Sequence, residues 1–120
     1  MHEMALVEGV LRVAEDECAR HPGHHVVKIE LEIGLLRQVV EETFRFLFEH
    51  LATGTMLEGA ELVMDLRPVR VRCSCCQRSG AIEEAAWMAC PFCGGFDVEM
   101  LEGDQFLVRS LQVEPELDHS

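Results

Sequence analysis

Apolar residues recur at helical spacing near the start of the chain. Between Met4 and Ala19 they fall three or four positions apart, at Val7, Leu11, Ala14 and Cys18. This period is typical of an amphipathic α-helix with one buried face. Pro22 cannot continue the hydrogen-bond ladder of a helix, so we expect the helix to end in the segment 21–23.

The period changes to two after this break, which predicts a strand. Four apolar residues alternate with charged ones, at Val27, Ile29, Leu31 and Ile33. Such alternation indicates a strand with one buried face. A second helical stripe follows at Val40, Phe44, Leu47, Phe48 and Leu51, and Gly54 is a plausible stop.

Two further strands are predicted on either side of a cysteine-bearing segment. One runs from Ala60 to Leu66 and resumes after Pro68 through Val71, and the last begins at Phe106. The predicted fold class is α+β: a small sheet of about three strands with two helices on one face, plus a four-cysteine insert like a zinc ribbon. We hypothesise that the two strands flanking the insert pair with each other and present it as a lobe.

The charge and the apolar runs restrict the partners. The chain carries 22 acidic against 10 basic side chains, a net charge of −12. Nucleic-acid affinity comes mostly from Lys and Arg, so the balance argues against DNA, RNA and anionic membrane surfaces. The apolar runs are shorter than the ~20 residues of a membrane span, and no secretory signal opens the chain. We therefore expect a cytoplasmic protein whose cysteines are thiols or metal ligands.

Four cysteines have the spacing of a tetrahedral metal site. Cys73 and Cys76 form one C-x-x-C pair, and Cys90 and Cys93 form another after thirteen intervening residues. Each pair makes a tight knuckle that aims two sulfurs at one point, and zinc favours four thiolates. Iron in a rubredoxin-like carrier would fit the same spacing, so spacing alone does not fix the metal.

The other two cysteines are not expected to bind this metal. A Cys75 ligand would leave one residue between it and Cys73 and none before Cys76, and neither spacing makes a knuckle. Cys18 lies on the apolar seam of the first helix and is assigned to the core. Since four protein ligands leave no open position for substrate, the site is structural rather than catalytic.

The chain start offers a second set of donors. The Met1 amine, the following backbone amides and the His2 imidazole lie close enough to form fused chelate rings, which suit square-planar Ni(II) or Cu(II). On chemistry alone, this signal is weak, and a solvated histidine is the simpler interpretation. Glu3 is explained by the charge preference of a helix N-terminus.

Several segments together resemble the HypA/HybF family of nickel-insertion metallochaperones of [NiFe]-hydrogenase maturation. They are the Met1-His2-Glu3-Met4 start, the strand 28–34, the helix 42–49, Gly54-Thr55, Glu58-Gly59-Ala60 and the two knuckles. The resemblance covers nearly the whole chain. Its most specific parts are the Met-His-Glu start and the knuckle spacing.

The resemblance implies a nickel site at the N-terminus and a separate structural zinc domain. On this chain the nickel-binding residues would be Met1, His2 and Glu3, and the zinc ligands Cys73, Cys76, Cys90 and Cys93. Residues 1–71 and 97–120 would form the nickel-binding α+β domain, and residues 72–96 the zinc-binding domain. The implied partners are a nickel-handling GTPase and the hydrogenase large-subunit precursor, with a homodimer also possible.

The chain departs from the family pattern at a few positions. Arg37, Val40 and Glu41 stand where the family usually has a serine, an acidic residue and a proline, so position 40 offers no auxiliary carboxylate. Cys75 is an unusual addition beside the first knuckle. Three nearby histidines, His21, His24 and His25, are interpreted as a solvated loop.

Two other functions stay open from the residues alone. The first is a zinc-ribbon adaptor that binds a protein or nucleic acid, for which the insert offers only a local basic patch of Arg67, Arg70, Arg72 and Arg78. The second is a redox protein with iron among the thiolates. No phosphate loop, nucleophile motif or acid–base pair indicates an enzyme, so no catalysis is predicted.

Overall fold

Two helices form where the apolar spacing predicts them. The computed structural model describes residues 2–82 and 88–116, apart from the side chain of His2. Helix α1 spans His2–Ala19 and helix α2 spans Glu41–Ala52, and the two helices pack against each other. Their inner faces are closed to solvent, with Val7, Val10 and Ala14 buried on α1 and Phe44, Phe48 and Ala52 on α2.

Six strands are described, and they form two three-stranded sheets. The strands are β1 His24–Gly34, β2 Glu61–Arg67, β3 Val69–Cys73, β4 Ser79–Ile82, β5 Val98–Glu102 and β6 Phe106–Pro115. A short 3₁₀ helix, Leu35–Arg37, follows β1. Helices combined with small sheets confirm the predicted α+β class.

The first sheet has the order β2-β1-β6, so the predicted pairing of the strands that flank the cysteines is wrong. The physical reason is burial. Strand β1 contains Val26, Ile29, Leu31 and Ile33, all at most 1% exposed, whereas β6 has no buried residue. The strand with the most apolar surface to bury takes the centre, and the two more polar strands become its edges.

The second sheet has the order β4-β3-β5 and was not predicted from the sequence. Both neighbours run antiparallel to β3, with Val71 opposite Gly80 on one side and Met100 on the other. The core beneath this sheet consists of Val69, Val71 and Ile82, with Leu36, Met88, Val98 and Met100 packed around it. Pro68 separates β2 from β3, so the segment expected as one strand contributes to two different sheets.

The chain divides into two compact units. The first comprises the described residues of Met1–Leu31, Val39–Met64 and Val108–Ser120, and the second comprises those of Glu32–Gln38 and Asp65–Leu107. The second unit holds all four knuckle cysteines and extends beyond the 72–96 segment on both sides. Among the described helices, none combines the length and hydropathy that a membrane crossing requires.

Two glycines allow a close backbone crossing inside the second unit. The Gly34 N–H donates to the Gln105 carbonyl at 2.8 Å, and the Leu36 N–H donates to the Gly103 carbonyl at the same distance. A Cβ placed on Gly34 would overlap the Gly103 carbonyl and lie 2.6 Å from the Asp104 nitrogen. Only glycine fits at position 34 without moving the backbone.

Candidate metal centres

The structure brings the four predicted sulfur ligands together. The Sγ atoms of Cys73, Cys76, Cys90 and Cys93 all lie within 4.8 Å of one another. The Cys73–Cys93 and Cys76–Cys90 sulfur pairs are both 3.6 Å apart. A tetrahedron with metal–sulfur bonds of about 2.3 Å has edges of about 3.8 Å, so the cluster fits a zinc ion with little adjustment.

The two knuckles have the same backbone path. In the first, the Gln77 N–H donates to the Cys73 carbonyl at 3.0 Å, and in the second, the Gly94 N–H donates to the Cys90 carbonyl at 2.9 Å. Both donor residues take the left-handed conformation, with φ of 62° at Gln77 and 75° at Gly94. The turn therefore requires a positive φ at this position. Glycine adopts it without steric strain in the second knuckle, whereas Gln77 in the first knuckle adopts it at a conformational cost.

Backbone amides point at the sulfurs in an equally repeated pattern. The second and third residues after the first cysteine of each pair donate N–H groups to its sulfur. The donors are Cys75 and Cys76 in the first knuckle, and Phe92 and Cys93 in the second, where the N···S distances are 3.3 and 3.4 Å. These bonds stabilise negative charge on sulfur and so prepare the cluster for a cation.

The clustered thiols differ in pKa. The N–H groups of Cys93 and then Phe92 lower the pKa of the Cys90 thiol to about 6, against the opposing effect of burial. The Gly95 N–H favours the Cys93 thiolate, but hydrogen bonds with the Cys73 and Cys90 sulfurs outweigh it and raise the pKa of Cys93 to about 12. A metal ion must displace the remaining protons, so binding weakens as the pH falls.

The second knuckle is anchored to the sheet by an aromatic contact. A Cβ on Gly80 of β4 would lie 2.9 Å from the Phe92 ring and 3.2 Å from Pro91. The glycine therefore lets the knuckle lie directly on the strand. The Arg78 guanidinium lies over the same Phe92 ring, 5.4 Å from its centre.

The two remaining cysteines lie outside this cluster. Cys75 is exposed and is not one of the four clustered sulfurs. Cys18 is buried in α1 at 8% exposure, as the helical seam predicted. Within the described residues, the four-cysteine group is the only one in which three or more His, Cys, Asp or Glu donors lie this close together.

The chain start is only partly described. Met1 and the side chain of His2 lie outside the described residues, and α1 begins at His2. The Glu3 carboxylate accepts a hydrogen bond of 3.2 Å from the N–H of Val40, the residue that precedes α2. The start of α1 is thereby held beside the start of α2. Sequence reasoning missed this contact, because nothing in the spacing connects residues 37 positions apart.

The helix pair, the small sheets and the four-sulfur cluster define a small α+β protein whose clustered cysteines have the geometry of a tetrahedral metal site. The family of hydrogenase/urease nickel-incorporation metallochaperones, HypA, matches residues 1–113, and the chain belongs to this family. The resemblance drawn from the sequence is confirmed.

Individual relatives agree with this assignment. The hydrogenase maturation factors HypA of Azotobacter chroococcum and Methylocella silvestris are each 38% identical to the chain over 114 residues, which is 95% of this chain and 100% of theirs. The solution structure of the nickel metallochaperone HypA from Helicobacter pylori has the same fold. It matches with a TM-score of 0.66 at 20% identity, over 97% of this chain and 100% of that one.

Proposed function

We propose that this chain carries Ni(II) at its N-terminus and delivers it for insertion into the large subunit of [NiFe]-hydrogenase. The observation that carries the proposal is the family match, which extends over residues 1–113 and so includes the chain start. The ligands would be the Met1 amine, the His2 imidazole and the amides of His2 and Glu3. These nitrogen donors favour a planar Ni(II) complex.

Reversible chelation would be the mechanism of transfer. Nickel held by donors at a chain start can leave by stepwise ligand exchange, and protonation of the imidazole or the amine weakens the complex. The Glu3 carboxylate would position the chain start by its bond to the Val40 N–H. No acid–base or nucleophilic chemistry is needed, so the proposed function is that of a carrier and not of an enzyme.

The four clustered cysteines would hold a structural zinc ion. The second unit contains a small core cluster of three buried residues, Val69, Val71 and Ile82. So little apolar surface stabilises a fold weakly, whereas structural zinc binding contributes on the order of 10 kcal/mol. The first unit would then serve as the nickel-binding domain and the second as the zinc-binding domain.

The proposed setting follows from the family. The carrier would act in the cytoplasm, with a nickel-handling GTPase, on the hydrogenase large-subunit precursor, alone or as a homodimer. The acidic net charge of −12 suits protein partners with basic surfaces better than nucleic acid.

Metal analysis of the untagged protein and two histidine variants tests the proposal. The wild type and His50→Ala, a change on the exposed face of α2, should each bind about one Ni(II) and one zinc. His2→Ala should keep its zinc and lose stoichiometric nickel. Equal nickel uptake by His2→Ala would refute the assigned site, and zinc without nickel in all three proteins would favour the adaptor function.

A second comparison isolates the role of Glu3. Glu3→Gln keeps an oxygen acceptor for the Val40 N–H, whereas Glu3→Ala removes it. If the side chain acts by positioning, nickel affinity should be kept in the first variant and fall in the second. A loss in both variants would instead assign the carboxylate charge a direct part in binding.

A further inference from the structure

A mostly apolar cavity lies at the end of α1, within the first unit. Its volume is about 330 Å³, and the residues that line it include Cys18, Ala19, Pro22 and Met56. A single water molecule needs only about 15 Å³ of such space, so the cavity has room for a side chain. An apolar group that fills it removes apolar surface from water, which is favourable.

The last described residue of the chain is anchored beside this cavity. The Glu116 N–H donates to the carbonyl of Gly23, one of the lining residues, at 2.7 Å. Burial is the main cause of the raised pKa of the Cys18 thiol, and the negative charge of Glu116 also raises that pKa. Glu116 is therefore held near two of the residues that line the cavity.

The sequence supplies an apolar group directly after this anchor. Residues 117–120 lie outside the described residues, and Leu117 is the only apolar residue among them. Consecutive Cα atoms are about 3.8 Å apart, so Leu117 follows closely on the Glu116 anchor. In the second half of β6 the half-buried residues alternate, at Leu111 and Val113. An extended continuation of this strand would place Leu117 on the same face.

We propose that the segment after Glu116 docks on the end of α1, with the Leu117 side chain filling the cavity. The occupant belongs to the same chain because the hydrogen bond from Glu116 to Gly23 already holds the segment at the cavity. A tethered group has a high effective concentration there, so a free partner must compete with it. The docked segment covers the Cys18 thiol and completes the core at this end of the helix. This inference does not depend on the proposed nickel function.

Methyl NMR and urea unfolding of the untagged, zinc-loaded chain test the proposal. With the alanine, leucine and methionine methyl groups labelled, nuclear Overhauser effects are expected from Leu117 to Ala19 and Met56. Leu117→Ala should shift the Met56 methyl signal and lower the urea midpoint by about 0.5 M or more. Leu107→Ala is the matched control, because Leu107 is 52% exposed on β6. It should leave the Met56 signal in place and change the midpoint by less than about 0.25 M.

Three results would overturn the proposal. The first is the absence of any Overhauser effect from Leu117 to Ala19 and Met56. The second is an equal urea midpoint for the Leu117→Ala and Leu107→Ala proteins. The third comes from a mixture of ¹³C-labelled and unlabelled chains: Overhauser effects that arise only between chains would place the segment of a second copy in the cavity.

Discussion

Substitution of Gly34 tests the closest backbone crossing in the structure. Gly34 is part of the strand segment that carries the family resemblance, and it ends β1. A methyl group there would overlap the Gly103 carbonyl and lie 2.6 Å from the Asp104 nitrogen. Both neighbouring groups belong to the backbone, so no side-chain rotation relieves the overlap. We therefore expect Gly34→Ala to push the segment 103–105 away from residues 34–36.

The magnitude follows from the bonds that such a shift would stretch. Two hydrogen bonds of 2.8 Å join the segments, from Gly34 to Gln105 and from Leu36 to Gly103. The net loss of one such bond costs about 1 kcal/mol, and a donor left without a partner costs about 1–3 kcal/mol. Gly34→Ala should therefore lower the free energy of unfolding by about 2–4 kcal/mol, a large part of the stability of a chain this short.

Urea unfolding of the zinc-loaded protein, followed by circular dichroism, measures this change. With a slope of about 2 kcal/mol per molar urea, the transition midpoint of Gly34→Ala should fall by about 1–2 M. Gly9→Ala is the matched control: Gly9 lies inside α1 with nothing within 4 Å of an added Cβ. That change should stabilise the protein by about 0.5–1 kcal/mol. A Gly34→Ala protein as stable as the wild type would show that the crossing is not as close as described.

Three further predictions concern single positions. Gly94→Ala meets no atoms, so it should cost only the left-handed conformation at φ 75°, about 1–2 kcal/mol, seen as roughly five- to thirtyfold weaker zinc binding in a chelator competition. Burial raises the pKa of the Cys18 thiol above its ordinary 9.0. The contribution of the buried, protonated thiol to the free energy of unfolding is therefore complete below pH 9 and is lost as the pH rises through the raised pKa. The stability advantage of the wild type over Cys18→Ala should accordingly shrink between pH 7 and pH 10 in urea unfolding, and a constant difference would contradict this. Val40→Asp adds a carboxylate on the residue whose N–H donates to Glu3, and it should convert the proposed planar, diamagnetic Ni(II) complex into a paramagnetic one with more ligands, detected by magnetic susceptibility.

Local periodicity was enough to predict both helices and the central strand. The stripe from Val7 to Cys18 is buried as expected, and so are Ile29, Leu31 and Ile33 of β1. Each of these elements buries one continuous face, so the spacing of its apolar residues along the chain predicts which side chains are buried. The knuckle spacing placed four sulfurs in one cluster for a similar reason, because the geometry of each pair is local.

The features that the sequence did not predict depend on contacts between distant segments. Strand β4 contains Gly80 and Ala81, which carry no apolar signal, and it forms because β3 offers an open edge. The hydrogen bond from Val40 to Glu3 also joins distant residues. Such pairings depend on which strand edges and helix faces remain unpaired after the most apolar surfaces are buried, and local spacing along the chain does not contain that information.

The proposed zinc and nickel sites suit opposite tasks because their donors come from different parts of the fold. The four sulfurs fill a tetrahedron, and two of the four cysteines, Cys73 and Cys90, are buried, so an ion there has no free position for an incoming ligand. The donors proposed at the chain start would all come from consecutive residues at one end of the backbone. Release of nickel would then require only that a partner's ligands replace these donors one at a time, whereas release of zinc would cost the second unit the folding free energy that the ion supplies. A carrier built in the proposed way would exchange its cargo repeatedly without losing the fold that presents it.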